Sequence, residues 1–409
     1  MKIFMCILLL LLSVNLCNSQ SNKEYLFSSE IKALYNTDTV AKNYQHYAVN
    51  YMNIGNYKDM LFLEEEFVLK FKGLNHKKRT VNGSFFSYKA VNALQEIVKK
   101  ASKHQLVIIN EAHFSAQNRV FTRAVIKKLK SKGFTTLFVE DLVSEDFSYT
   151  DKLLNTRKYP LIATGYYMKE PQYGNMIRKA LQLNYKVFPY EFIPNNSIKD
   201  PMKRWSARES GQAKNILKYL KKYPKEKIII HCGYGHLGEK LYEEGLGMMG
   251  ALLKKKSGID PFTISQTMWL ETFSNKTKNP YRKIIDRKLL NDISVFKNHK
   301  GELYSSDKEN YDVEVYFPNT KYIKGRPDWL LLGKGKKYVD VPFEKIKLKY
   351  PYLVFAYHKD EIIAETVPTD IIEIKDINDQ KSLILEKGNY TLLVQNIKRE
   401  IQKISIKVK

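Results

Sequence analysis

The chain has 409 residues, 68 Lys and Arg against 43 Asp and Glu, a net charge of +25, and three cysteines. Cys6 and Cys17 fall in the first twenty residues, which leaves Cys232 alone in the body of the chain. An intrachain disulfide framework is thereby excluded, and a packed core must hold the protein together. The basic surplus is spread over short clusters, Lys127 to Lys132, Lys218 to Lys222 and Lys254 to Lys256, on the polar faces of predicted helices. That distribution reads as solvated surface and not as a nucleic-acid footprint, and it allows weak association with an anionic cell surface.

In chain order, residues 1–19 carry one positive charge, an apolar stretch and a small, polar end. This is the layout of a secretory signal peptide, cleaved after Ser19 or Gln20. The apolar stretch is too short to span a bilayer and no other segment approaches spanning length. The expected location is therefore the periplasm, the outer-membrane surface or the medium. A lipid anchor on Cys17 ranks second, because Leu16 is a poor neighbour for such a site. Residues 20–95 read as an N-terminal helical region, with helices over 30–52 and 56–71, a turn at Asn82-Gly83-Ser84 and an amphipathic helix over 88–105. No chemistry is visible there.

Residues 96–330 read as an α/β domain centred on the stretch from Leu106 to Glu140. Leu106 to Ile109 form a continuous apolar run, as expected for a strand covered on both faces. The run ends in Asn110, Glu111, Ala112 and His113, and two-residue spacing lets Glu111 and His113 address one spot. A helix over Arg119 to Ser131 follows, with Gly133 placed for its C-terminal cap. A second strand runs from Thr135 to Glu140. The segment 141–171, rich in Tyr, has the composition of a wall or lid. Further helices are expected over 175–184, 205–222 and 238–255. Further strands are expected over 185–192, 227–232, 262–269 and 311–317, with Pro189 a caution in the first of them and Gly211 a weak point in the middle helix. Residues 331–409 change texture: runs at 339–348, 352–359, 370–376, 383–388, 390–396 and 404–409 predict a small β-sandwich-like domain. The fold class is α/β, a mostly parallel sheet with flanking helices, an N-terminal helical segment and a small C-terminal β domain.

The ends of the predicted parallel strands collect Glu111, His113, Glu140, Glu191, His231 and His236 at the edge where open α/β sheets bind ligands. Ionisable groups gathered in a cleft shift one another's pKa values and keep a base available near neutral pH. Three mechanisms fit. His113 takes a proton from water, with Glu111 or Glu140 fixing its tautomer and an arginine and His236 stabilising the oxyanion. Or His and Glu residues bind a divalent metal that activates the water. Or Cys232 is a nucleophile, ranked last because strand alternation turns it away from His231. The pattern Gly233-x-Gly235-x-x-Gly238 matches the dinucleotide fingerprint, but on the fourth strand and without the acidic residue in place.

Asn110-Glu111-Ala112-His113 resembles the GE-x-H or GE-x-x-H motif of the erythromycin esterase, ChaN and Tiki superfamily. Glu140, at the end of FVED, resembles the family's glutamate on the second strand. Residues 208–215, RESGQAKN, are similar to its R-[DE]-x-x-M-A-x-N helix, with Gln212 in place of Met. His231 to His236, HCGYGH, looks like its last motif. The resemblance covers roughly residues 90–330. It implies a secreted hydrolase of esters or related acyl bonds with His113 as base, Glu111 and Glu140 as its partners, Arg123 as charge stabiliser and His236 completing the catalytic set. Arg208, Glu191 and His231 are then expected to bind a small-molecule or peptide substrate. The esterase branch needs no cofactor. The ChaN branch implies a haem- or metal-binding uptake protein and the Tiki branch a metal-dependent protease, with Glu111, His113, Glu140 and His236 as ligands. Asn110 for Gly, and a Glu-x-His spacing one residue tighter than the esterase form, set macrolide hydrolysis apart. The last residues faintly resemble a Bacteroidetes secretion-sorting domain.

Overall fold

Two asparagines decide how the N-terminal region is cut. The Asn43 side chain accepts from His46 N–H and the Asn56 side chain from Asp59 N–H. Each satisfies a free donor at a helix start. The segment 30–52, read as one helix, is therefore two, α1 (Ser28–Thr37) and α2 (Tyr44–Asn53), followed by α3 (Tyr57–Phe67). The structure is a computed structural model and describes residues 25–38, 43–72, 80–142, 154–242 and 245–409. The expectations for the signal peptide and Cys17, and residues 143–153 of the wall segment, lie outside them.

The helix predicted over 88–105 is shorter. Asn92 caps Gln95 N–H, so α4 spans Ala93–Ala101 and the residues before it form β1 (Lys89–Asn92). Its antiparallel partner is β7 (Ser294–Lys297), far away in sequence and invisible to local pattern. Then come β2 (Leu106–Glu111), α5 (Ala116–Leu129), β3 (Phe134–Val139), α6 (Pro171–Gln182), β4 (Lys186–Pro189), α7 (Pro201–Lys222), β5 (Lys227–Gly233), α8 (Met249–Ser257), β6 (Phe262–Ser265), α9 (Pro280–Asp286) and β8 (Val313–Glu314). Gly133 caps the α5 end in the left-handed region at φ 85°, a conformation glycine adopts at little cost. Pro189 closes β4, which lies at the sheet edge, where a missing N–H costs no ladder bond. The helix expected over 238–255 starts only at Met249, because Gly250 N–H and Ala251 N–H are tied back to the carbonyls of His236 and Gly238.

Among the described residues β4-β3-β5-β2-β6-β8 form one six-stranded sheet, parallel throughout. Alternation sorts its side chains. Val107, Ile109, Leu137, Val139 and Ile229 pack with α5 and α6 on one face. Leu106, Ile108, Phe138, Ile228, Ile230 and Cys232 pack with α7 and α8 on the other. Burial on both faces is why these strands read as unbroken apolar runs. The chain leaves β2 toward β3 and β4, then returns to place β5 between β2 and β3. Those three carboxyl ends flank the point where strand order reverses, which is where such sheets open a crevice.

The C-terminal residues form β9 (Tyr322–Ile323), β10 (Arg326–Pro327), β11 (Lys336–Val339), β12 (Tyr352–His358), β13 (Asp370–Ile374), β14 (Leu383–Glu386), β15 (Gly388–Asn396) and β16 (Ile401–Val408). The main sheet here is antiparallel, in the order β13-β12-β15-β16, and β11 pairs with β14. The strand expected over 339–348 stops at Val339; Pro342 removes a donor and Phe343–Lys345 is a 3₁₀ turn. This sheet shares a core with the N-terminal helices and with the loop after β2: Phe27, Met52 and Leu63 meet Leu353, Phe355 and Leu393, and also Ala112 and Phe114.

Candidate functional site

β2 delivers Glu111 onto the α5/α6 face, where it is 1% exposed. A lone buried carboxylate is prohibitively unfavourable, and the compensating charge is Arg119, on the first turns of α5. Its Nε donates to Glu111 Oε2 and its Nη2 to Oε1, both at 2.7 Å, the bidentate geometry that makes arginine–carboxylate pairs strong. Nη1 donates to Glu170 Oε2 at 3.1 Å and Nη2 also to the His113 carbonyl. The Tyr173 ring lies 4.6 Å from the guanidinium carbon. Glu170 in turn caps α6 through the N–H groups of Gln172 and Tyr173 and accepts from the Tyr57 hydroxyl. Burial works to raise the Glu111 pKa, but the Arg119 guanidinium overcomes it and holds the carboxyl well below the usual carboxylate range.

Past the strand end, His113 Nδ1 lies 3.3 Å from Glu111 Oε1, while a fifth of its side chain stays exposed. His231, one strand over and opposite Ile109, brings Nε2 to 3.3 Å from the other Glu111 oxygen. It is 1% exposed. His231 is thus packed against Glu111 while its residue still borders the cleft.

On the opposite face, α7 assembles a second charge group. Arg208 donates to Glu140 Oε1 at 2.7 Å, to both oxygens of Glu191, and from Nη1 to His236 Nε2 at 3.0 Å. Glu140 Oε2 accepts from Gly233 N–H. Asn215 fixes the carbonyls of Tyr190 and Glu191, and Gln212 donates to Glu191 Oε1. Gly211, read as a weak point, is instead where Phe192 closes on the helix: a Cβ there would meet the Phe192 ring at 2.1 Å. His236 is anchored by Nδ1, 2.9 Å from Glu209 Oε2. Burial alone would lower its pKa; the Glu140 and Glu209 carboxylates outweigh that and the neighbouring Arg208, and raise it.

Glu111, His113, Glu140, Glu191 and Arg208 line a cleft of about 160 Å³ together with Asp141, Tyr167, Tyr173, His231, Cys232 and Gly233. His236 stands behind Arg208 and is not part of that wall. Arg123, expected here as charge stabiliser, lies elsewhere: its Nη2 donates to the Leu332 carbonyl, and its electrostatic neighbour is Glu386 of the C-terminal sheet. Arg119, one turn earlier on the same helix, is instead the buried counterion of Glu111. Cys232 lies in the α7/α8 core, fully buried, its Sγ 3.8 Å from the Ile109 carbonyl. Burial pushes its pKa well up, opposite to what a nucleophilic thiolate needs. The dinucleotide fingerprint also fails, since among the described residues no α-helix follows β5 before Met249 and Gly233 packs on His113: a Cβ there would stand 2.3 Å from His113 Cε1.

The four residues expected as metal ligands are already engaged in ion pairs and hydrogen bonds. Both oxygens of Glu111 accept from Arg119, both of Glu140 are taken by Arg208 and Gly233, and His236 Nδ1 faces Glu209. The cleft volume lies below the ~300 Å³ at which pockets for drug-sized ligands begin.

The depressed Glu111 pKa sets the sign of the acid response. Its ion pair contributes stability that is complete above the unfolded value of about 4.3 and is lost as pH falls through the lower folded value. Urea denaturation from pH 7 downward should show stability falling below about pH 4. Glu111→Gln should start lower at pH 7 and fall less steeply, whereas parallel curves for the two proteins would contradict this assignment.

No protein-family model matches the chain, and no curated protein sequence matches it. Distant structural likenesses exist. The type III effector HopBA1 aligns at 16% identity over 46% of this chain and 89% of its own, with a TM-score of 0.32. RRSP, a MARTX toxin effector domain from Vibrio vulnificus, aligns at 13% identity over 54% and 46%, also at 0.32. The C-terminal region of Pasteurella multocida toxin, described as bearing a thiol-protease-like catalytic triad, aligns at 11% identity over 58% and 34%, again at 0.32. Likeness at this level carries no argument about what the present chain does.

Proposed function

We propose that this protein is an exported hydrolase of the erythromycin-esterase-like type, within the erythromycin esterase, ChaN and Tiki superfamily, in which His113 activates water against an ester or related acyl bond. One observation carries the reading: an imidazole open to the cleft has its Nδ1 on a buried carboxylate that a guanidinium holds ionised. With Nδ1–H given to Glu111, Nε2 carries the lone pair and acts as base. A water donates its proton to Nε2 as its oxygen bonds to the acyl carbon, and Glu111 stabilises the imidazolium that forms. Arg208 uses four of its five N–H groups on Glu140, Glu191 and His236. The fifth, on Nη1, has no partner among the described residues and is offered to the carbonyl oxygen as it becomes an oxyanion. Collapse of the tetrahedral intermediate breaks the bond to the leaving oxygen, which takes the proton back from His113.

The test is a panel of chromogenic esters offered to protein stripped with a chelator. Hydrolysis that survives chelation is expected. Activity abolished by chelation and restored by a divalent metal would replace this reading with the metal-dependent one, and inertness toward every ester would sink it. Gly233→Ala adds a geometric check. The new methyl would displace His113, and misplacing a reacting group by about 1 Å costs on the order of 10²-fold in rate. A well-folded Gly233→Ala with undiminished turnover would show that the imidazole does not act from this position.

A further inference from the structure

Asp141 and Tyr167 have no role in the reaction as derived above, yet they build the wall that faces His113. Asp141 directly follows Glu140 and is buried. Its Oδ1 accepts from Tyr166 N–H at 3.0 Å and its Oδ2 from Tyr167 N–H at 2.9 Å. The segment wraps it so closely that a Cβ on Gly165 would stand 2.4 Å from both the Asp141 carbonyl oxygen and Oδ2. Glycine alone permits that approach. The clasp delivers the Tyr167 ring flat over the His113 imidazole, centroids 4.6 Å apart and planes 12° from parallel. Tyr234 meets the same imidazole edge-on at 5.2 Å, and Gly233 closes against Cε1 and Nε2. The Arg119 guanidinium carbon lies 5.6 Å from the Tyr167 ring, so the ring is held from a second side.

We propose that Asp141 is a positioning residue for His113, acting through Tyr167. Its two backbone hydrogen bonds tie residues 166 and 167 to the end of β3, the strand that also delivers Glu140. Tyr167 then sets the plane of the imidazole. The torsion that turns a histidine ring is broad when nothing restrains it; stacking narrows it to the range in which Nδ1 stays on Glu111 and Nε2 faces the cleft. The tyrosine face also attracts the imidazolium formed when Nε2 takes a proton.

The catalytic part of this inference rests on the hydrolase reading, but the stacking does not, so the experiment reads both. Full-length protein labelled with ¹³C-histidine is compared by NMR as wild type, Tyr167→Phe, Tyr167→Leu and Asp141→Ala, with His113→Gln used to assign the His113 resonances. In wild type and Tyr167→Phe the His113 ring protons should show the upfield ring-current shift of a stacked imidazole. Tyr167→Leu should abolish it, and Asp141→Ala should collapse it to nearly the same position. On an ester substrate, Asp141→Ala and Tyr167→Leu should each lower kcat about 10-fold or more with little change in KM. The double variant should lose no more than either alone, because the two residues act as one unit. Tyr167→Phe should stay close to wild type. An undisturbed ring-current shift in Asp141→Ala, or kcat losses that multiply in the double variant, would overturn the proposal. Should Asp141→Ala not fold, Asp141→Asn keeps one acceptor oxygen and is expected to give an intermediate shift; no change there is equally adverse. Wild-type protein that gives the NMR pattern but hydrolyses no ester would remove the hydrolase reading and leave the clasp standing.

Discussion

Arg119→Met should destabilise the protein by about 3–5 kcal/mol, the cost of removing one partner from a buried ion pair. Arg119 is fully buried and is the only cation whose N–H groups reach Glu111 among the described residues; it also bonds Glu170 and the His113 carbonyl. Methionine fills much of the space but leaves two buried carboxyls without their counterion. They must then either take up protons or admit water. Arg119→Lys should recover only part of the loss, because an ammonium lacks the fork that satisfies both Glu111 oxygens. Arg123→Met is the matched control one helical turn away. Its guanidinium lies outside the cleft, so turnover should hold. Urea midpoints for the three variants decide the matter, and equal losses at the two arginines would contradict Arg119 as the counterion that burial of Glu111 requires.

His113→Gln should lower ester turnover by about 10²–10⁴-fold, the range general-base catalysis contributes. Stability should change little, since His113 is partly exposed and, among the described residues, its ring makes one polar side-chain contact, to Glu111. Glutamine can still donate to Glu111 but offers no base. The dissociation between a large kinetic loss and a small stability loss separates His113 from Glu111, whose replacement should damage both. A His113→Gln protein that retains turnover would transfer the base to another group.

Much of the core was legible because parallel strands covered on both faces must be apolar throughout. Leu106 to Ile109 and Ile228 to Ile230 therefore announce themselves, and the ionisable residues that end such runs mark the open edge of the sheet. What could not be read were partners brought in by helix phase and by distant chain. Arg119 was missed because α5 begins at Ala116, three residues before the apolar rhythm becomes regular, and its guanidinium points back toward the strand that precedes it. Arg123 occupies the same helix face and competed for the assignment. Glu209, beside Arg208 in a recognised motif, was legible as an acid but not as the anchor of His236, since that contact closes between α7 and the turn after β5. Asp141, Tyr167 and Glu170 lie in the connection between β3 and α6, Tyr167 in a short 3₁₀ turn, where no periodicity fixes direction. Asn110 departs from the glycine of the family motif for a reason visible only in three dimensions: its side chain donates to the Tyr234 carbonyl and the Thr267 hydroxyl and accepts from Gln266 N–H. It ties together the loops that follow β5 and β6, and holds Tyr234 in the left-handed region at φ 28°, the sort of strained position that clusters at functional sites.

The most direct measurement is the intact mass of the protein, denatured rapidly during steady turnover of a chromogenic ester. With water activated by His113 and no covalent intermediate, the expected spectrum contains only the unmodified chain, and His113→Gln abolishes turnover without changing that mass. A population carrying the acyl group, on Cys232 or any other side chain, that disappears when the ester is exhausted would contradict direct attack by water.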